Sequence, residues 1–500
     1  MTYEVVVVGG GIGGLTAAAL LAARGVRVCL LERASRVGGC AASFGHLGHD
    51  FEPGAGLYAR WQPGELHERI FAELPVEPPE AREVAPAYTV RLPEGLDVRV
   101  GGPAGEFHAS LRESFPECAE AAVRFYREAA EVADALRRAA RRAPALAEAS
   151  RLQILKLAAA APRLAPRILA ARGDAAATHL AGTSARFRHF IDAQLQLYAQ
   201  VPSDSCAYLY AAVALTEPLR GMYALGGGGQ ALADALAESI KKSGGTVRLD
   251  TTALKLAFDE SGRAAGVTLL SGETVGTTRA VVSNLTVWDT YGKLVGADHT
   301  PAGLRSRLKQ LKGWGAYQIF VSLEEDAAGR LPSDKVLALS DPRGGESFDA
   351  ESSLFMLGAA PAWDARAPAG RRSATVSAFT DAEQWFSFHS DESEHEEQDA
   401  RSLEALWARV HAALPELGAG AEVFETATPR TFYEHTRRRL GMVGGVGQSL
   451  GAFGANAPTH RTHVPNLLMV GDTVFPGNGV AAVTHSALVA ADELAPVRGK

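Results

Sequence analysis

The sequence has few cysteines, and none of them is paired at a spacing that serves chemistry. Four occur among 500 residues without a CxxC motif: Cys29, Cys40, Cys118 and Cys206. This usage excludes a disulfide framework and a cysteine-based zinc site, and it is typical of a reducing compartment. Basic residues are not in excess either, since the net charge is −7. A nucleic-acid-binding domain is normally basic, so we expect no nucleic-acid partner.

Long apolar runs are also missing. No segment holds the roughly 20 consecutive apolar residues that a membrane-spanning helix needs. The N-terminus has neither the positive start nor the longer apolar stretch of a secretory signal. We therefore predict a cytoplasmic protein, either soluble or lying peripherally on the inner face of a membrane. A chain of 500 residues is too long for one core, so we expect two domains.

What the sequence does contain begins with the pattern of a βαβ unit. Val5–Val8 is a β-branched run, typical of a buried parallel strand. A glycine-rich turn follows, and then an Ala/Leu-rich segment at 15–24 that predicts a helix ending at Gly25. Residues 26–31 form a second apolar run, which completes the unit.

The turn after the first strand matches the GxGxxG motif. Gly9 permits the tight turn, Gly11 lets the backbone approach a pyrophosphate, and Gly14 allows close packing of helix on strand. Ile12 and Gly13 lie at the start of the helix, where free N–H groups and the positive end of the helix dipole attract phosphate. Strand, glycines, helix and strand in this order predict a dinucleotide site.

An acidic residue and a second pair of glycines follow. Glu32 ends the second strand, where a carboxylate can accept hydrogen bonds from a ribose diol. The next segment resembles the RxGG extension of the glutathione-reductase-type flavoproteins. In that family an arginine and two glycines support the diphosphate, and here these are Arg33, Gly38 and Gly39.

A further short element favours FAD over NAD. Phe51–Gly54 resembles the F-D-x-G element of the same flavoproteins, with Glu52 in place of the usual aspartate. A plain NAD dehydrogenase needs neither this element nor the RxGG extension. FAD is therefore the predicted cofactor.

A second strand-turn-helix pattern lies near the end of the chain. Leu467–Val470 is an apolar strand, followed by Gly471 and Asp472, a Pro/Gly loop and an Ala-rich helix. Asp472 can hydrogen-bond the ribityl or diphosphate portion, and the helix N-terminus faces the pyrimidine edge of a flavin. The complete set of predicted cofactor-binding residues is Gly9, Gly11, Ile12, Gly13, Gly14, Glu32, Arg33, Gly38, Gly39, Gly54, Val247, Gly471, Asp472, Gly479 and Val480.

The middle of the chain contains a basic amphipathic stretch at 149–173. It carries five basic residues and no acidic residue between Ala149 and Gly173. The pattern suits an anionic lipid surface. An ordinary pair of solvated helices covering the substrate domain is the alternative, and both interpretations stay open.

A second glycine cluster at 226–229 makes a poor nucleotide site. The preceding Met222–Leu225 does not have the pattern of a buried strand, so we expect the cluster only to open a helix at 231–243. Alternation around Gly262 and Gly272 then predicts a small antiparallel sheet. It ends in a strand at 280–284 that rejoins the cofactor domain.

No metal site is predicted. The run Asp391–Glu397 is acidic and contains a histidine, but a solvated helix surface accounts for it better. His485 follows the C-terminal loop and is interpreted as a core histidine rather than a group that approaches the flavin. Cys40 could hold a flavin covalently, although the family described next binds its cofactor noncovalently.

Several motifs together resemble the phytoene desaturase superfamily, and its carotenoid isomerase branch most. They are the N-terminal unit, Leu225–Gln230, the S-N-x-x-x-W-D-T-x-G-K-L element at 283–294 and Gly471–Val480. The resemblance covers most of the chain and is loose at 95–180 and 325–425. It implies noncovalent FAD and an α/β fold, with a glutathione-reductase-type Rossmann domain and an interleaved α+β substrate domain, as in amine oxidases. We place the FAD domain at 1–80, 220–295 and 450–500, and the substrate domain at 81–219 and 296–449.

The resemblance also implies an FAD-dependent oxidoreductase that acts on conjugated carbon–carbon bonds of a hydrophobic polyene. Isomerisation, desaturation and saturation stay open, with flavin N5 as the redox centre. Arg188 matches a position proposed in related desaturases to assist substrate charge, and an ion pair with Asp192 on one helix face is its alternative. An amine oxidase acting on a small amine and a noncatalytic flavin scaffold are the other functional hypotheses. The sequence does not determine the oligomeric state.

Overall fold

The computed structural model describes residues 1–142, 165–340, 348–386 and 392–497, with the single residues 145, 148, 153, 156, 159 and 162. Its strands are, in chain order, β1 (Thr2–Val8), β2 (Val28–Leu31), β3 (Phe44–His46), β4 (His49–Phe51), β5 (Tyr58–Ala59), β6 (Ala81–Val84), β7 (Tyr88–Arg91), β8 (Asp97–Val100), β9 (Met222–Leu225), β10 (Thr246–Arg248), β11 (Ala253–Phe258), β12 (Ala264–Leu269), β13 (Thr274–Ser283), β14 (Gly315–Glu324), β15 (Lys335–Leu339), β16 (Leu354–Ala359), β17 (Arg371–Thr380), β18 (Ala421–Ala427) and β19 (Leu467–Met469).

The α-helices are α1 (Ile12–Ala23), α2 (Leu66–Phe71), α3 (Ala104–Ser114), α4 (Ala119–Arg142), α5 (Ala165–Ala171), α6 (Ala185–Ala199), α7 (Tyr208–Thr216), α8 (Gly228–Lys242), α9 (Val287–Asp289), α10 (Ala302–Gln310), α11 (Glu325–Arg330), α12 (Ala350–Ser353), α13 (Glu392–Ala413), α14 (Pro429–Thr436) and α15 (Val480–Leu494).

The first sheet has the strand order β10-β2-β1-β13-β12-β11, and β19 also pairs with β13. Strand β1 runs parallel to both β2 and β13, and α1 connects β1 to β2, so the predicted βαβ unit is confirmed. Strands β11, β12 and β13 are antiparallel, with turns at Gly262 and Gly272 as predicted. They continue the main sheet instead of forming a separate one, because the second half of the long β13 pairs with β1.

Helix α1 is covered on one side by this sheet and on the others by neighbouring helices. Leu15, Leu20 and Leu21 are fully buried, and α8 and α15 pack against the same helix. Its alanines are small enough to let these helices and the sheet approach closely, while Val5–Val7 of β1 are buried on both faces. A parallel strand covered on both faces is expected to be this uniformly apolar. The N-terminal unit is thus the centre of the part of the protein that contains the first sheet, which we call the cofactor half because the predicted dinucleotide motif lies in it.

The other strands form a second large sheet, with the order β18-β14-β17-β16-β15-β7-β8, a hairpin of β3 and β4, and a three-stranded sheet, β5-β9-β6. The prediction that Met222–Leu225 is not a buried strand was wrong, since β9 pairs with β5 and β6 and buries Met222, Ala224 and Leu225. Its partners β5 and β6 are distant in sequence, so the local pattern did not indicate that Met222–Leu225 would form a buried strand. Both pairings are antiparallel, so β9 does not form a second parallel nucleotide-binding unit. The predicted boundary at residue 80 falls inside this sheet.

Two predicted segments lie largely or partly outside the described residues. Most of the basic stretch at 149–173 is not described, apart from single residues and the end that includes α5. Asp391 of the acidic run is also not described, while the rest of that run begins α13. Within the described ranges, no helix is both long and apolar enough to cross a membrane, and no group of three or more potential metal ligands is found.

Candidate functional site

Four strand ends meet at one edge of the first sheet. Gly9 follows β1, Glu32 follows β2, Asn284 follows β13, and Gly471 lies just beyond β19. All four strands are parallel, so their carboxyl ends lie at the same edge. Strand β1 has β2 on one side and β13 on the other, so the strand order reverses direction at β1. Ligands of open α/β sheets bind in the crevice at the carboxyl end of such a strand.

The glycines of the turn make room for this convergence. A Cβ added to Gly14 would lie 2.1 Å from the carbonyl oxygen of Gly9. A Cβ on Gly13 would lie 2.6 Å from Oδ1 of Asn284 and 3.2 Å from Cα of Gly471. Any larger residue would push the loops apart. The sequence named the glycines, but the role of Asn284 emerges only from the fold, although it is part of the 283–294 motif.

Two helix N-termini at this edge have no side-chain cap. Gly11 is the N-cap of α1 and Gly479 that of α15, and neither has a side chain that could accept a hydrogen bond. The first turn of a helix has N–H groups without partners inside the helix, and its dipole favours negative charge. Ile12 and Val480 are the first residues of these two turns. Both ends are therefore suited to bind anionic or electron-rich groups.

The carboxylate of Glu32 lies directly against the glycine turn. Its Oε2 accepts a hydrogen bond from the N–H of Gly10 at 2.6 Å, and its Oε1 accepts one from the N–H of Ala34 at 2.7 Å. The backbone of Glu32 is held by the neighbouring strand, because its N–H donates to Arg248 at 2.9 Å. Val247 precedes that arginine in β10 and is half-buried beside β2. Glu32 thus lies where a ribose diol beside the turn could reach it.

The two glycines of the extension also pack on the turn. The N–H of Gly38 donates to the carbonyl of Gly10 at 2.8 Å, and Gly38 has a φ of +121°, a conformation that L side chains rarely adopt. A Cβ on Gly39 would lie 3.2 Å from Cα of Gly11. The extension therefore forms one wall of the same cradle.

The side chain of Arg33 contacts the end of a neighbouring helix. Its guanidinium donates to the carbonyls of Glu434 and His435 at 3.0 and 2.5 Å. These carbonyls are at the C-terminal end of α14, where a cation satisfies unpaired acceptors. Arg33 thus anchors α14, and its role at a diphosphate stays a prediction. Arg36, which directly precedes the Val-Gly-Gly of the extension, is exposed.

The loop that contains Gly54 lies between the two large sheets. The carbonyl of Pro53 accepts a hydrogen bond from Nε2 of Gln318 on β14 at 2.6 Å, and Gly54 itself is exposed. Glu52 accepts a hydrogen bond from the N–H of Gly229, in the first turn of α8, at 3.2 Å. This loop therefore connects the cofactor half to the second sheet, and it does not touch the glycine turn through Gly54.

Asp472 has a partly buried partner that the sequence did not indicate. Nη2 of Arg438 donates to its Oδ2 at 2.7 Å, and the N–H of the preceding Gly471 is fixed by Oγ of Ser486 at 3.0 Å. Burial alone would lower the pKa of Arg438, but the charge of Asp472 outweighs it and raises that pKa. The guanidinium of Arg438 is therefore charged at neutral pH. No local pattern marks Arg438 within its run of three arginines.

Arg188 and His485 are less closely tied to this edge. Arg188 is exposed on α6, and its predicted alternative partner Asp192 is buried and accepts a hydrogen bond from the N–H of Ser203 at 2.6 Å. Within the described residues no ion pair joins Arg188 to Asp192, and a catalytic role for Arg188 stays a prediction. His485 is half-buried on α15.

The donors and acceptors at this edge fit a flavin dinucleotide. Two uncapped helix N-termini supply N–H donors for a diphosphate and for the electron-rich end of a flavin, and Glu32 and Asp472 supply acceptors for sugar hydroxyls. The cradle between them is narrow enough that Gly13 and Gly14 admit no side chain. An anionic ligand that also carries sugar hydroxyl groups requires this combination of N–H donors and carboxylate acceptors.

Comparison with known proteins agrees with this geometry. The chain is 26% identical over 504 residues to a prolycopene isomerase from Daucus carota, covering 99% of this chain and 80% of that protein. It is 24% identical over 523 residues to the human all-trans-retinol 13,14-reductase, covering 97% and 84%. The solved structure of wild-type putrescine oxidase bound to putrescine superposes with a TM-score of 0.62 at 17% identity, covering 99% of each chain.

The predicted fold and the predicted resemblance to the carotenoid isomerase and desaturase flavoproteins are therefore confirmed. The two-domain α/β architecture is that of flavin-dependent oxidoreductases, and the chain is an enzyme of this type. The model of the flavin containing amine oxidoreductases matches residues 12–495. The chain belongs to the flavin containing amine oxidoreductase family.

Proposed function

We propose that the protein binds FAD noncovalently and acts on the conjugated carbon–carbon bonds of a hydrophobic polyene. The observation that carries this proposal is the similarity, along almost the whole chain, to a prolycopene isomerase and a retinol reductase. Both names refer to conjugated polyenes, and both reactions alter their double bonds. Isomerisation, saturation and desaturation are the reactions between which the experiment below decides.

In this proposal the protein binds and orients, and FAD would supply the exchange of hydride or electrons. The N-terminus of α1 would hold the diphosphate, Glu32 the adenosine ribose, and Asp472 the ribityl chain. The N-terminus of α15 would stabilise negative charge at the pyrimidine edge. Arg438 neutralises and fixes Asp472.

The surroundings of the loop before α15 favour an apolar substrate. The ring of Phe475 in this loop lies 6.1 Å from that of Phe453, which in turn lies 6.1 Å from Tyr210. Nδ2 of Asn478 approaches the carbonyl of Leu197 at 3.4 Å and so attaches the loop to α6. Aromatic side chains of this kind provide a large apolar surface for a polyene.

The deciding experiment is to incubate the FAD-loaded, reduced enzyme anaerobically with a poly-cis carotenoid and measure the product mass. Unchanged mass with a shifted retention time and absorption spectrum means isomerisation. A change of two hydrogens means net redox chemistry, and its sign separates saturation from desaturation. No change in any polyene would overturn the proposal.

A second candidate function is the oxidation of a small amine. The fold shared with putrescine oxidase favours it. Hydrogen peroxide released on addition of amines, together with unchanged polyenes, would establish this function instead.

We also propose that the enzyme works at the inner face of an anionic membrane, from which a polyene could enter. In the described part of the basic stretch, Arg167, Leu169 and Arg172 are exposed. An exposed leucine flanked by arginines is typical of a helix lying in a lipid interface. In a liposome flotation assay we expect the protein to float with vesicles that contain phosphatidylglycerol and to remain at the bottom of the gradient with pure phosphatidylcholine vesicles. Equal recovery with both would argue against electrostatic binding.

Noncovalent binding leads to a prediction about Cys40. Burial raises the pKa of its thiol, even though Arg438 acts in the opposite direction. A thiol attacks only as the thiolate, so Cys40 is a poor nucleophile at neutral pH. We expect acid precipitation to release all yellow colour into the supernatant, and Cys40→Ala to bind as much flavin as the unaltered protein. A yellow pellet that becomes colourless in Cys40→Ala would show a covalent link.

A further inference from the structure

Helix α6 carries a stripe of polar side chains that are buried in an otherwise apolar environment. Asp192, Gln196 and Gln200 follow one another at intervals of four residues, so they share one face of the helix and its C-cap. Their exposed fractions are 8%, 0% and 3%. Buried polar groups normally have hydrogen-bond partners, so each member of this stripe needs one.

Each end of the stripe makes at least one hydrogen bond, although Oε1 of Gln200 has no partner. Oδ1 of Asp192 accepts a hydrogen bond from the N–H of Ser203 at 2.6 Å, and Nε2 of Gln200 donates to the carbonyl of Val443 at 2.8 Å. Gln196, between them, has no partner for Nε2 or for Oε1. Both atoms lack a partner, so this finding does not depend on which of the two positions holds the nitrogen and which holds the oxygen. Among the buried glutamines that the structure describes, it is the one with both amide atoms unpaired.

The stripe leads to the loop that precedes α15. A Cβ on Gly444 would lie 1.9 Å from Nε2 of Gln200 and 3.6 Å from Nδ2 of Asn478. Asn478 in turn lies within that loop and approaches Leu197 of α6. Gln196 precedes Gln200 by one helical turn, and its sequence neighbour Leu197 accepts the contact from Asn478, so this part of α6 lies against the loop before α15.

We propose that Gln196 binds an oxygen-bearing end group of the polyene, a hydroxyl or a carbonyl. An amide offers both a donor and an acceptor, which matches an alcohol or an aldehyde equally well. This inference rests on the proposed function and narrows its substrate class from polyenes in general to oxygenated ones.

A hydrocarbon polyene would leave the buried amide unpaired in the complex, as it is in the free protein. A site built to hydrogen-bond a hydroxyl discriminates strongly against an analogue that lacks it, because the buried polar group of the site loses its partner. The matched probes are all-trans-retinol and the hydrocarbon in which its hydroxyl is replaced by hydrogen. We expect the flavin-loaded protein to bind the alcohol about 10- to 100-fold more tightly.

The variant that tests this is Gln196→Leu, which removes the amide at similar volume. Without ligand we expect its melting temperature to be equal or higher, because an unpaired buried amide is lost. The affinity for the alcohol should fall about 10- to 100-fold to that for the hydrocarbon, while flavin affinity and hydrocarbon affinity stay the same. Dissociation constants can be measured by quenching of protein fluorescence.

Gln194 on the same helix is the matched control. It is equally buried, but its Oε1 accepts a hydrogen bond from Tyr88 at 3.0 Å and its Nε2 donates to the carbonyl of Phe190 at 2.9 Å. Gln194→Leu should therefore lower the melting temperature, since it removes the amide oxygen to which the hydroxyls of Tyr88 and Tyr126 donate.

Three results would overturn the inference. A melting temperature of Gln196→Leu as low as that of Gln194→Leu would make Gln196 structural. A loss of flavin affinity in Gln196→Leu would assign the amide to the cofactor. Equal binding of alcohol and hydrocarbon by the unaltered protein would overturn the inference and leave the proposed function intact, whereas binding of neither would overturn both.

Discussion

Replacing Gly14 with alanine is expected to abolish flavin binding. The added Cβ would lie 2.1 Å from the carbonyl oxygen of Gly9, and that oxygen belongs to backbone in the tight turn itself. The turn and α1 must then separate by more than 1 Å, roughly the difference from ordinary contact. The N–H groups at the start of α1 move with it, and they are the donors on which the diphosphate depends.

The measurement is the flavin content of the purified variant, followed by titration with FAD. We expect an apoprotein whose affinity for FAD is lowered by at least about 100-fold, since several hydrogen bonds to a charged group are lost together. Far-ultraviolet circular dichroism should stay close to that of the unaltered protein stripped of flavin. Full flavin content in Gly14→Ala would contradict the geometry of the turn.

Gly303 provides the matched control. It lies in α10, is exposed, and a Cβ there would meet no atom within 4 Å. Alanine is a better helix former than glycine, so Gly303→Ala should keep its flavin and be slightly more stable. A loss of flavin in both variants would mean that a glycine substitution is harmful for reasons unrelated to the turn.

The cofactor edge could be predicted because its determinants are local. Val5–Val8, Gly9, Gly14 and Glu32 lie within one βαβ unit, and each residue type has a physical role there that sequence spacing reveals. The C-terminal strand, turn and helix around Asp472 follow from the same logic. In each case backbone groups that are close in sequence form the site.

The parts that were missed depend on contacts between distant residues. Arg438 pairs with Asp472 across 34 residues and Arg366 with Glu52 across 314. No periodicity or motif indicates which arginine a carboxylate will meet once the two halves fold together. The hydrogen bonds from Arg33 to the end of α14 likewise join residues separated by 401 and 402 positions.

The second large effect is expected at Arg366, which holds a buried charge network between the two halves. Its Nη1 donates to Oε2 of Glu52 at 2.9 Å, its Nε to Oδ2 of Asp364 at 2.5 Å, and its Nη2 to the carbonyl of Leu225 at 2.7 Å. Tyr58 donates a further hydrogen bond to Glu52. The side chains of Arg366, Glu52 and Asp364 are 6%, 12% and 12% exposed.

Arg366→Met should therefore lower the free energy of unfolding by about 3–5 kcal/mol at pH 7, because two buried carboxylates lose their cation. Urea denaturation followed by tryptophan fluorescence measures the change. Arg401→Met is the control, since Arg401 pairs with Glu397 at 3.4 Å on the surface and is 67% exposed. Exposed pairs contribute little, so that variant should unfold at nearly the same urea concentration.

The pH dependence separates charge from packing. Burial alone would raise the pKa of Glu52, but Arg366 and Lys335 outweigh it and hold that pKa below its ordinary value. A lowered folded-state pKa stabilises the protein above the unfolded value of about 4.3, and this contribution is lost as the pH falls through the folded value. In Arg366→Met the pKa of Glu52 rises, so the variant loses less on acidification. The difference in unfolding free energy between the two proteins should thus shrink below about pH 4. A difference that is equal at pH 4 and pH 7 would mean that the stem of Arg366, and not its charge, stabilises the contact between the two halves.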